Sequence, residues 1–122
     1  MKIPIARRVF YRNAPESPEG FIQVTVEIFQ PCIDSKVKPP VWRCPLVIEG
    51  LGKSIRQSCY GEDSMQALYH SLFTAGVILS TSKYCAEIDP NDERNSYAQL
   101  ENFGFPELKS VAFDPKLFLP EA

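Results

Sequence analysis

Residues 21–29 alternate without a break: Ile22, Val24, Val26 and Ile28 fall on one side of an extended chain, and Gln23, Thr25 and Glu27 on the other. A strand with one apolar and one polar face belongs in an antiparallel sheet that is wet on one side, because the strands of a parallel sheet are covered on both. The apolar face therefore needs a cover. The second strong pattern supplies it. Across residues 61–81, Met65, Leu68, Tyr69, Leu72, Ala75, Gly76 and Leu79 recur at three- and four-residue steps, leaving Glu62, Gln66, His70 and Thr74 on the opposite side. Asp63 suits the N-cap of that helix, where its carboxylate accepts from the free amides of the first turn, and Gln66 stands in the capping-box position.

A one-faced sheet and a one-striped helix are each unstable alone, so the two patterns predict an α+β two-layer sandwich. The sheet is expected to be antiparallel and four-stranded, packed against one long helix at about residues 62–81. Its strands are read at residues 5–12, 21–29, 41–49 and 54–60. The turn formers of residues 13–20 separate the first pair, and Gly50-Leu51-Gly52-Lys53 the last. Residues 32–40, with Asp34 and the pair Pro39-Pro40, read as an excursion or a long hairpin loop. Pro45 has no amide hydrogen, which predicts a bulge or an edge within the third strand. The first strand, Ile-Ala-Arg-Arg-Val-Phe-Tyr-Arg, sets an arginine beside an apolar residue in either register, so its inward face is undetermined. After residue 81 the periodicity fades. Apolar anchors such as Leu100, Phe103 and Phe105 nevertheless continue among Gly104, Pro106, Pro115 and Pro120, which predicts an irregular tail that docks, with a single helical turn near residues 107–110. The expectation is one domain over residues 1–122, with a core at 5–80 and a docked tail at 81–122. A chain of 122 residues buries roughly two thirds of its unfolded surface, enough for one core without staples.

Composition excludes several functions. A formal net charge of -2 lacks the electrostatic footprint that binding to phosphate backbones needs. Arginines interrupt the first residues where a secretory leader would be apolar, and no apolar run approaches the roughly 18 residues that span a bilayer. A cytoplasmic location is the resulting expectation. Cys32, Cys44, Cys59 and Cys85 include no Cys-x-x-Cys pair, and His70 is the single histidine, so neither zinc nor any other cofactor is expected and the thiols are read as reduced.

Candidates for catalysis each have a plainer explanation. Ser64 follows a glycine at a strand-to-helix junction, but Gly-Glu-Asp-Ser-Met lacks the second glycine of a nucleophile elbow and suits a helix start. His70 stands alone in mid-helix. The carboxylates Asp89, Asp92 and Glu93 lack the ligand ladder of a calcium loop and read as a solvated acidic loop. Trp42 is read as core before ligand platform. The chain is not expected to be an enzyme.

Ala6-Arg7-Arg8, Trp42-Arg43-Cys44, Glu49-Gly50-Leu51 and Gly61-Glu62-Asp63-Ser64-Met65-Gln66-Ala67-Leu68 together resemble a family of small uncharacterised bacterial proteins, over residues 5–80. The resemblance implies a bacterial cytoplasmic protein, similar to the compact immunity proteins that neutralise toxins delivered by neighbouring cells. Its partner would be a cognate toxin or effector, bound without chemistry, with Glu87, Asp89, Asp92 and Glu93 facing a basic cleft of that toxin. Two alternatives stand beside this reading. One is a ligand-binding or enzymatic domain using Cys59, His70 or Ser64 between sheet and helix, and the other is an oligomeric adaptor pairing through the edge strand at residues 5–12.

Overall fold

The computed structural model describes residues 2–106. Five strands form one antiparallel sheet: β1 (Ala6–Asn13), β2 (Phe21–Ile28), β3 (Cys32–Asp34), β4 (Val41–Glu49) and β5 (Ile55–Gly61). One long helix, α1 (Ser64–Thr81), covers a single face of it. The class is the α+β sandwich that the two periodic segments require. The sheet has one strand more than expected, because Cys32, Ile33 and Asp34 pair with Arg43, Trp42 and Val41 inside the segment read as a loop. The turn formers and the cis Lys38–Pro39 bond are confined to the hairpin between β3 and β4.

β2 and β3 lie end to end along the same side of β4. Ile28 faces Leu46, and Cys32 faces Arg43, so three residues of the outer strand oppose two of β4. That extra residue is a bulge. Pro45 sits opposite it, with its carbonyl accepting from the Phe29 amide at 2.9 Å. The missing N–H of Pro45 thus falls where the ladder is already interrupted, and β4 remains central, with β5 on its other side.

Val24, Val26, Ile28, Cys44, Leu46 and Ile48 form the inner face of the sheet. The helix meets them through most of the expected stripe, with Ala67 and Ser71 added and Met65 left outside. Its buried residues are Ala67, Ser71, Ala75, Gly76 and Leu79, flanked by half-buried Leu68 and Leu72, while Met65 is 78% exposed. Small side chains let the helix axis approach the sheet closely, and larger ones fill the shoulders. Ser71 crosses this dry interface to donate to the Cys44 carbonyl at 2.9 Å. At the entry to α1, Asp63 accepts from the Gln66 amide at 2.7 Å, and Gln66 Oε1 accepts from the Glu62 amide at 2.6 Å, one residue further back than in a standard capping box. Gly61 is required there, since a Cβ would stand 2.5 Å from the Ala67 nitrogen.

Beyond α1 the chain makes three 3-10 turns, Cys85–Glu87, Glu93–Gln99 and Glu101–Gly104, and returns along β1. Phe103 lies edge-on to Phe10 with ring centroids 5.5 Å apart, and Phe105 is buried. Phe103 keeps a φ of 55°, a left-handed conformation that costs an L-residue roughly 1–2 kcal/mol, which the burial of its ring offsets. The expected helical turn near residues 107–110 lies outside the described residues.

Candidate functional site

β1 turns its even residues inward, so Arg8, Phe10 and Arg12 share the face that packs on the core. Arg12 is 3% exposed. Its Nε donates to the Gly50 carbonyl at 2.7 Å, its Nη1 reaches Glu87 at 3.0 Å, and its guanidinium lies 4.0 Å from the centroid of Tyr84. Arg8 lies 3.9 Å over Tyr97 and 4.7 Å over Phe105, and donates to the Phe103 carbonyl at 3.3 Å. Both cations are stacked and hydrogen-bonded, the condition under which a buried guanidinium is tolerated. Asn95 completes the attachment. Its Oδ1 accepts from the Tyr11 amide at 2.7 Å, and its Nδ2 donates to the carbonyls of Tyr11 at 2.8 Å and Asp89 at 3.0 Å. One side chain thereby substitutes for a neighbouring strand at the outer edge of β1, the edge through which an adaptor was expected to pair.

This attachment places the four acidic residues expected to face a partner. Glu87 is bound to Arg12. Asp89 accepts from the Asn91 amide at 2.8 Å, closing a turn. Asp92 caps the turn Glu93–Gln99 and grips Arg94, with its Oδ2 2.7 Å from Arg94 Nη2. The Arg94 hydrogen bonds hold the Asp92 carboxyl below its ordinary value. Glu93 is exposed. The four sit on one loop as expected, but three of them are spent on holding that loop together.

The apolar surface left uncovered by the described residues lies elsewhere. A cleft of ≈ 380 Å3 opens where the first turn of α1 passes the bulge between β2 and β3, lined by Gln30, Pro31, Trp42, Ser64, Met65 and Leu68. Trp42 is half-buried, with core on one flank and the cleft on the other. Ile33, directly opposite it across the β3–β4 ladder, shares its face and is 56% exposed. Met65 and Trp42 therefore line an apolar concavity with Ile33 exposed beside Trp42, and tryptophan and methionine are residues that binding surfaces favour. Sequence patterning missed it because Met65 fits the helical stripe and Ile33 lies in a segment rich in turn formers. A wider groove of ≈ 750 Å3 crosses the wet face of the sheet, but its Glu27, Arg43, Glu49 and Arg56 interleave both signs and define no charge preference.

No hydrogen bond links the residues considered for catalysis to one another. Ser64 lines the cleft at the start of α1, whereas the His70 Nδ1 is 2.7 Å from the Tyr60 carbonyl and the Cys59 thiol is 3.4 Å from the Thr74 hydroxyl. Burial pushes the Cys44 thiol above its ordinary pKa, which disfavours the nucleophilic thiolate. Among the described residues no three side chains converge as a metal site, and no helix is long and apolar enough to cross a membrane.

The fold and this surface define a small α+β domain with a partly uncovered apolar cleft. The chain belongs to a family described as a domain of unknown function (DUF6968), whose model matches residues 6–106. The family unit thus includes the three 3-10 turns, extending past the residue-80 limit of the motif resemblance. No curated protein and no solved structure matches the chain.

Proposed function

We propose that this domain is a non-enzymatic binding protein of the bacterial cytoplasm that neutralises a cognate toxin or effector by direct contact. The observation that carries the binding reading is the cleft lined by Trp42 and Met65, with exposed Ile33 beside Trp42 on the same face, which together present large apolar contacts of the kind that dominate interface energies. The toxin as partner rests on the motif resemblance. The acidic loop of Glu87, Asp89, Asp92 and Glu93, which lies beside Tyr11 and Arg12 and apart from the cleft, would speed encounter with a basic surface, Glu93 being the residue able to do so without loosening the loop.

The test has two parts. Expression of the gene should protect cells against the effector encoded beside it, and the purified domain should capture that effector. Met65→Lys and Ile33→Asp alter exposed positions, so they should leave folding intact while weakening capture by roughly 30-fold or more, the scale of a lost hot spot. Absence of both protection and capture overturns the toxin reading, and capture that is indifferent to both substitutions overturns the cleft.

A further inference from the structure

The two outer edges of the sheet are treated differently. On β1, Asn95 occupies both the amide and the carbonyl of Tyr11. On β5, no described strand pairs with the outer side: His70 Nδ1 reaches the Tyr60 carbonyl at 2.7 Å, but the edge has no proline, its register against β4 is regular from Ile55 to Gly61, and Arg56 is its single charged residue. The backbone groups on that side can be assigned. Because the Pro45 carbonyl turns toward β2, that of Cys44 turns toward β5 and its partner Cys59 turns back toward β4. Arg56, Ser58 and Tyr60 then direct their amides and carbonyls outward, and the bond from the Tyr60 carbonyl to His70 agrees.

We infer that β5 is a self-association edge, pairing antiparallel with β5 of a second copy about a two-fold axis at Ser58. This occupant is selected by self-complementarity. An antiparallel pairing centred on Ser58 sets Arg56 of each chain opposite Tyr60 of the other, and every residue that faces across the junction is one whose backbone groups point outward, the Tyr60 carbonyl that His70 already reaches keeping a second lone pair for the opposing Arg56 amide. The Arg56 side chain is 73% exposed and only loosely paired with Glu49, at 3.9 Å, and Tyr60 is 48% exposed on the same wet face, so the guanidinium can turn across the junction to the opposing phenol with no like charges opposed. On the covered face, His70 and Thr74 mark the flank of α1 beside this edge, through their contacts with Tyr60 and Cys59. Val77 continues that flank one turn later and is 38% exposed, which brings apolar surface to the same junction. The result is one continuous sheet across two copies, with the clefts at Trp42 left open.

Sedimentation and light scattering of the full chain between about 1 and 200 µM should show a monomer–dimer equilibrium. Ser58→Pro removes an outward N–H that β4 does not use, a position where an edge strand accepts proline. It should raise the dimer dissociation constant at least tenfold while the far-ultraviolet circular dichroism stays unchanged. Hydrogen exchange of the unmutated chain gives a readout independent of that variant's folding. The amides of Arg56, Ser58 and Tyr60 should gain protection with rising concentration, whereas those of Gln57 and Cys59 should be protected throughout. A chain that stays monomeric up to about 200 µM, or a dimer in which those three amides exchange at the monomer's rate, overturns the inference.

Discussion

Asn95→Asp tests how the C-terminal turns are held to the sheet. The substitution preserves shape, so packing alone predicts almost no effect. The hydrogen-bond geometry predicts a large one. The carboxylate still accepts from the Tyr11 amide, but the oxygen replacing Nδ2 points at the Tyr11 and Asp89 carbonyls, which lie 2.8 and 3.0 Å from that nitrogen. Two favourable bonds become two repulsive contacts at a side chain that is almost wholly buried. Asn95→Ala is the reference: it loses three hydrogen bonds, but space opens at the sheet edge for water to reach the freed groups, so each bond counts at its net worth of about 1 kcal/mol and the total is about 3 kcal/mol. Asn95→Asp should cost at least as much at pH 7, since no water relieves the repulsion. At this chain length that corresponds to a fall in Tm of about 12 °C. Acidification should narrow the difference from the unsubstituted chain, because a protonated carboxyl donates again to a carbonyl. Urea unfolding at pH 7 and pH 4, with exchange of the Tyr11 amide, measures both effects. A loss below about 0.5 kcal/mol at pH 7, or a Tyr11 amide that stays protected in Asn95→Ala, would refute the edge-capping argument.

Three further outcomes follow from the same geometry. Gly61→Ala forces a Cβ against the Ala67 amide and should destabilise the fold by about 1–3 kcal/mol in urea unfolding, as overpacking does. In the folded protein a thiol reagent should label half-buried Cys32 and Cys85 first, with buried Cys44 and Cys59 reacting only on denaturation, as mass spectrometry of the labelled chain would report. Because Arg94 lowers the folded-state pKa of Asp92, the stabilisation it supplies is fully present above the unfolded value of about 3.9 and is lost as pH falls through the lower folded value. Carbon-detected titration of the Asp92 carboxyl should give a midpoint below the ordinary aspartate value of about 3.9, and Arg94→Ala should raise it toward that value.

How much of this was readable in advance follows from the range of each interaction. The alternation of β2, the N-cap at Asp63 and the turns around Gly50 depend on residues within a few positions of one another, and local geometry governs them. Those features suffice for the α+β class; of the bulge or edge that Pro45 predicts within its strand, the structure shows an interruption opposite Pro45, with the extra residue in the facing chain. The inward face of β1 did not follow, because Arg8 and Arg12 look as solvent-seeking as Arg7. Their burial becomes favourable only once Tyr84, Glu87, Tyr97 and Phe105, some 70 to 100 positions later, supply rings and acceptors. Within the helix stripe, Met65 gives way to Ala67 and Ser71 for a related reason. Periodicity ranks Met65 above Ala67 by side-chain hydrophobicity, whereas the sheet admits only what leaves the helix close enough to bond Ser71 to Cys44. The candidate site has the same origin. The apolar character of Trp42, Ile33 and Met65 is written in the chain, but whether an apolar residue is core or surface depends on what covers it, and that is settled where the first turn of α1 stops short of β3.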